Sequence, residues 1–362
     1  MFRRVCWYTV WVLVGAISPG VAASAADGFR TGKPDLQQAG VLAFAPDGIL
    51  LVGDTVGAAV FAIDTEDRGP EHQGAPVHIE GINKRIAALT GSTPDDVLIN
   101  DLAVNPASGK VYLSASIGRG PDAAAAIFCV DHSGQLSEFS LDQVRYAKSV
   151  FQDAPEFIAG RRNPRLSAIT DIQFLDGKVI VAGLSNEEFA SKLRVLDYPF
   201  NGQQVATSIE VFHGAHGRLE THSPVRTFIT YDNAVLAAYT CTPLVTIPLE
   251  DLQGDKVRGK TVAELGNRNH PLDMIVYRKG DQDYLLLANS ARGVMKLKLS
   301  AAELNAVPPI TEHIPGGGTA GLPFEQLNEL ENVVQLDKLD AAHAVLLVDV
   351  GDALDLRTIP LP

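Results

Sequence analysis

Six short apolar runs recur along this 362-residue chain: ILLVGD, KVYLSAS, KVIVAGLS, AVLAAYT, DYLLLANS and AVLLVD, beginning at positions 49, 110, 178, 234, 283 and 344. An earlier apolar run precedes each one across a turn sequence such as Pro46-Asp47-Gly48, Asp176-Gly177 or Asp232-Asn233. Asp, Asn and Gly supply the positive φ that short hairpins need. The runs read as return strands of a repeated unit: polar entry, strand, turn, return strand, then one or two further strands. A unit of this kind cannot bury both faces alone, so neighbouring units must stack. Four-stranded units repeating every 49 to 68 residues predict an all-β chain, a β-propeller of six blades. The return strands are apolar throughout because each lies between two neighbours.

The units are unequal. The first, GVLAFAPDGILLVGDTVGAAVFAIDT at 40–65, takes Pro76-Val77-His78-Ile79 as its fourth strand, and a short helix is expected over Lys84–Leu89. The second turns at Asn105-Pro106-Ala107-Ser108-Gly109 and ends on Leu136–Leu141, after which 141–159 reads as helix or irregular insertion. Ala206–Phe212 is the fourth strand of the third unit, and LVTIPLED and KTVAEL continue the fourth. The sixth unit holds three strands before the chain stops. Residues 28–38 are therefore expected to supply its outer strand and close the ring, which hides the sheet edges. A seventh blade concealed in 66–99 or 141–165 is the alternative.

Residues 1–25 carry an address. Arg3 and Arg4 precede the apolar run Trp7–Ile17, and Ala23-Ser24-Ala25 offers small residues for cleavage. This pattern predicts a signal peptide, leaving 26–362 as a single propeller domain in the periplasm or secreted. The apolar run is shorter than the ~20 residues a membrane span needs, and no later segment reads as one. The net charge of −13 argues against nucleic acid or anionic lipid as partner. Removing the leader leaves Cys129 and Cys241, in units separated by a whole blade and so not expected to bridge.

Six such units without a WD or kelch signature, over nearly the whole mature chain, resemble the gluconolactonase- and NHL-type six-bladed propellers of exported proteins. That resemblance implies either a calcium- or zinc-dependent lactonase or a pure binding scaffold. The chain carries no catalytic signature of the family to transfer. It also lacks a P-loop, G-x-S-x-G, H-E-x-x-H and C-x-x-C-H, the motifs of phosphate binding, serine hydrolysis, zinc proteolysis and haem attachment.

Blade topology says where chemistry would sit. First strands start at one rim and return strands end there, so polar residues flanking both should meet around the channel mouth. They are Asp54; Asn100, Asp101 and Ser116; Thr170, Asp171 and Asn186; His222 and Cys241; Asn269, His270 and Asn289; Asn332 and Asp349. His222 and His270 occupy matching entries of consecutive units, and Cys241 returns near His222. Two imidazoles and a thiolate suit zinc or copper, whereas the bland alternative is that both histidines cap blade-entry turns. Asp54, Asn289 and Asp349 extend the candidate metal set, and Asn186-Glu187-Glu188 with Asp54 or Asp349 would suit calcium. His213 and His216 form H-x-x-H in a glycine-rich loop on the same rim, a pattern that surface histidines also produce. The reading is an exported propeller binding a small ligand, a divalent metal ion (Ca, Zn or Cu) or a protein partner at the channel mouth. Its rivals are a metal-dependent hydrolase of lactonase or esterase type and a non-catalytic subunit of an exported redox complex.

Overall fold

Asp176 and Gly177 adopt φ of 46° and 76° between paired Leu175 and Lys178, the positive φ at both positions that a type I′ hairpin requires. The computed structural model that shows this describes residues 28–69, 77–160, 163–241 and 243–362. The expected leader, 1–25, lies outside them. Among the described residues, no helix is long and apolar enough to cross a membrane.

Among the described residues six sheets form, one per repeated unit, antiparallel except where Lys256–Arg258 runs parallel to the Gln204–His213 strand. We number the blades by their innermost strands in chain order: Leu42–Ala45, Val97–Val104, Asp171–Leu175, Val225–Tyr231, Pro271–Lys279 and Val333–Lys338. Return strands pair next to them as the repeat predicts. Every residue of Ile49–Asp54 is buried, as are Leu285 to Asn289 of the fifth blade. The expected helix is present as Ile82–Thr90.

The outer strands depart from expectation. The first blade's fourth strand is Val144–Val150, which pairs Ala59–Asp64, in a stretch read as helix or irregular insertion. Arg30–Gly32 does not join the sixth blade. It pairs Val144–Tyr146 as the outermost strand of the first. The strand that closes the ring comes instead from His78–Ile79, which pairs Leu356 and Arg357 of the sixth blade and not the first. Thr358 donates its N–H to the Val77 carbonyl, and Gly81 N–H donates to Asp355. Residues upstream in the chain therefore do close the ring, but from a different segment.

The blades do not follow one another in chain order. The first blade's inner strand packs between those of the second and third, while the second packs against the sixth. Going round, the order is second, first, third, fourth, fifth, sixth, and back to second. The core agrees: Val345 and Leu347 of the sixth blade share a cluster with Leu102 and Leu113 of the second. Leu51 of the first blade clusters with Ile172 and Val179 of the third. Truncating a fully buried leucine in such a seam to alanine costs about 2–5 kcal/mol, so the stacked faces hold the ring.

Candidate functional site

Inner strands from all six blades line a central cavity of about 550 Å³. Four of them place an aspartate there, and each carboxylate bridges to the next blade. Asp101 accepts from Leu42 N–H at 2.6 Å, Asp337 from Val104 at 2.7 Å, Asp171 from Phe228 at 2.7 Å and Asp273 from Leu336 at 2.9 Å. Burial raises the Asp171 carboxyl to about 7 and Asp337 to about 6. Asp101 and Asp273 are also held well above the usual range, by burial and by facing carboxylates. These four hydrogen bonds clamp blade to blade. The rim reading named Asp101 and Asp171. It missed Asp273 and Asp337, each the one acid of its inner strand.

The other rim residues are spread out. Asp54 is fully buried, and its oxygens accept the N–H groups of Gln37, Gln38 and Gly57 at 2.8, 3.1 and 2.7 Å. Asn289 is buried too, accepting from Asn269 Nδ2 at 3.1 Å and donating to the Leu287 carbonyl. Asp349 is exposed and accepts from Gly351 N–H. His222 is exposed beside the Thr221 hydroxyl, Nδ1 to Oγ1 3.0 Å. His270 is exposed, with its N–H on Ser290 Oγ.

The structure brings Cys241 together with His213 and His216. One donor atom from each lies within 4.8 Å of the other two. His213 ends the third blade's long outer strand, Gln204–His213, and the chain folds back through Gly214 and Gly217 into Arg218–Glu220. Gly217 takes φ +65° and its N–H closes onto the His213 carbonyl at 2.8 Å. That tight turn brings the two imidazoles together, ring centroids 3.9 Å apart and tilted by 47°, and puts Glu220 opposite Val211. Glu220 then contacts both rings: Oε2 to His213 Nδ1 at 3.1 Å and Oε1 to His216 Nδ1 at 2.6 Å. The hydrogen bond with His213, ahead of that with His216, holds the Glu220 carboxyl well below its ordinary value.

Cys241 comes from the fourth blade, in the turn after return strand Ala234–Tyr239. Its φ is +63°, a left-handed conformation costing a non-glycine residue about 1–2 kcal/mol. Its N–H donates to the Asn269 carbonyl at 2.9 Å. Neither Cys241 nor Cys129 is in a disulfide. Next to the hairpin lies Glu264, almost wholly buried, with Oε1 accepting from Gly214 N–H at 2.5 Å.

Two features give this corner the form of a metal centre. With each Nδ1 held by Glu220, the Nε2 atoms are left to act as donors, the usual second-layer arrangement of metal-binding histidines. His213 Nε2 is buried with no hydrogen-bond partner, although its side chain is only 3% exposed. Bond lengths of about 2.1 Å to nitrogen and 2.3 Å to sulfur put donors around one ion roughly 3.4–3.9 Å apart. Closing from 4.8 Å needs a shift of about 1 Å. His213 and His216 were visible in the sequence only as a short histidine pair, and Glu220 was not seen at all. The H-x-x-H-x-x-x-E spacing around Gly214 and Gly217 is the signal that finds it.

No protein-family model matches the chain, and no curated protein matches its sequence. Among solved structures it is similar to U3-55K, at 9% identity and TM-score 0.36 over 93% of this chain and 99% of that one. It is also similar to the WD40 β-propeller domain of Doa1, at 10% identity and TM-score 0.34 over 91% and 95%. A third is Kluyveromyces lactis Hsv2, at 11% identity and TM-score 0.33 over 89% and 98%. Such identities and scores leave the site to be read from its own residues.

Proposed function

We propose that this is an exported β-propeller that binds a transition-metal ion at the junction of its third and fourth blades. His213 and His216 give imidazole nitrogens, Cys241 gives a thiolate, and Glu220 orients both rings. One observation carries the reading: donor atoms of two imidazoles and a thiol lie within 4.8 Å of one another, and one of those imidazoles, His213, has a buried Nε2 without a hydrogen-bond partner. Leaving such an atom unmet costs about 1–3 kcal/mol, and an ion removes that cost. Export follows from the leader-like residues 1–25, and the oxidising compartment it leads to accords with a rim thiol being kept as a ligand.

The test uses the mature chain, 26–362, stripped of metal and titrated with zinc and with copper, with bound ion measured after dialysis. One ion per chain is expected. Cys241→Ser and His213→Ala should each lose it. Glu220→Gln, which can accept from only one ring at a time, should weaken binding roughly 10–100-fold with an unchanged circular dichroism spectrum. Release of the ion by His222→Ala or His270→Ala, with His213→Ala silent, would move the site to the channel mouth that blade-entry spacing suggests. Retention of no ion by the parent protein sinks the metal reading.

A further inference from the structure

Resting on that metal reading, we propose that the ion is copper and that the centre exchanges single electrons, with the His216 ring edge as the route to solvent. The donor set points this way first. Two imidazoles and one thiolate in a three-donor group are a recurrent copper pattern, and for given nitrogen and sulfur donors Cu(II) binds more tightly than Zn(II). Structural zinc takes four protein donors, and the group here holds three.

Zinc with three protein donors would serve hydrolysis, which needs a base facing the open position. Of the two carboxylates beside this group, one is taken up by hydrogen bonds and the other is buried away from solvent. Glu220 is spent on the two Nδ1 atoms and on Ser223 Oγ, and Glu264 is 1% exposed, with Oε1 on Gly214 N–H and Oε2 unpartnered in the interior.

The surroundings suit electron exchange. His213 and Glu220 belong to a paired hairpin, and Cys241 is pinned to Asn269, so the backbone that carries the donors is held and only side chains need close the last ångström. A site that keeps one geometry in both oxidation states has little to reorganise. Exposure is one-sided: the His213 side chain is 3% exposed and that of His216 45%. Cys129 lies in the second blade, with the first and third blades between it and Cys241 round the ring. Copper therefore cannot consume the thiolate by forming an intramolecular disulfide. The step is Cu(I) giving one electron to a soluble one-electron acceptor and becoming Cu(II). The sulfur and both nitrogens stay bound, and the Nδ1 protons stay on the imidazoles, donated to Glu220.

The experiment adds one equivalent of copper(II) sulfate to metal-free mature protein under argon. An intense visible absorption from thiolate-to-copper charge transfer is expected. Ascorbate should bleach it and ferricyanide restore it, with copper retained throughout. Cys241→Ser should abolish the band and keep the fold. If zinc binds at one equivalent and copper gives no band, the copper proposal falls and the metal reading stands. If neither ion is retained, both fall. A band that bleaches irreversibly with loss of the thiol overturns the electron-exchange role.

Discussion

Asp171 has a cost written into its position. Its carboxyl sits in the channel wall at about 7, raised from 3.8 by burial, so the folded protein binds a proton that the unfolded chain has already released. Between pH 4 and 7 the native state thus holds more protons than the unfolded state, and stability falls as pH rises through that window. Above about 7 the contribution is flat. Asp337, raised to about 6, acts in the same direction. Asp171→Asn keeps an acceptor for Phe228 N–H and removes the titration. Its thermal midpoint should match the parent at pH 4 and exceed it at pH 8, by roughly 1–3 kcal/mol of stability; parallel pH profiles would refute the assignment. At this scale the sequence was half legible. His213, His216 and Cys241 could be picked out because histidine and cysteine are rare here, whereas Glu220 is one acid among the 43 acidic residues. Only the turn at Gly217 makes it a neighbour of both rings.

Elements were more readable where they are buried. Return strands such as Leu285–Asn289 touch other blades on both faces, so their composition is apolar and unmistakable. Outer strands lack that constraint. Val144–Val150 mixes Arg145, Lys148 and Ser149 with apolar residues, because one side of it meets solvent and Arg30–Gly32. His78–Ile79 is two residues long and pairs with a strand about 280 positions away, which no local pattern can announce. The hairpin that carries the histidines depends on one backbone position. A Cβ at Gly217 would stand 2.8 Å from His313 Cβ, with φ at +65°. At Gly134, φ is +77° and the space is open. Gly134→Ala should therefore lose only the left-handed penalty of about 1–2 kcal/mol. Gly217→Ala should lose more and also weaken ion binding, since His216 is its neighbour. Equal melting shifts for the two variants would show that the hairpin tip is not braced on His313.

Over the whole molecule, closure depends on the short strand His78–Ile79. Ile79 is 2% exposed against the sixth and second blades. Ile79→Ala should lower stability by about 2–5 kcal/mol while keeping one cooperative transition in urea. An unchanged midpoint would mean that the ring is shut elsewhere. The interlaced blade order also bears on how the protein is made. Emerging from the ribosome, the first three strands of the first blade wait for Val144–Val150 before their edge is covered. His78–Ile79 waits for Leu354–Pro360, which is made only after every other described blade strand. Products truncated before Leu354 therefore present bare strand edges, and edges of that kind recruit other chains. The same interlacing keeps the earlier blades from locking into a finished ring until the sixth has been made.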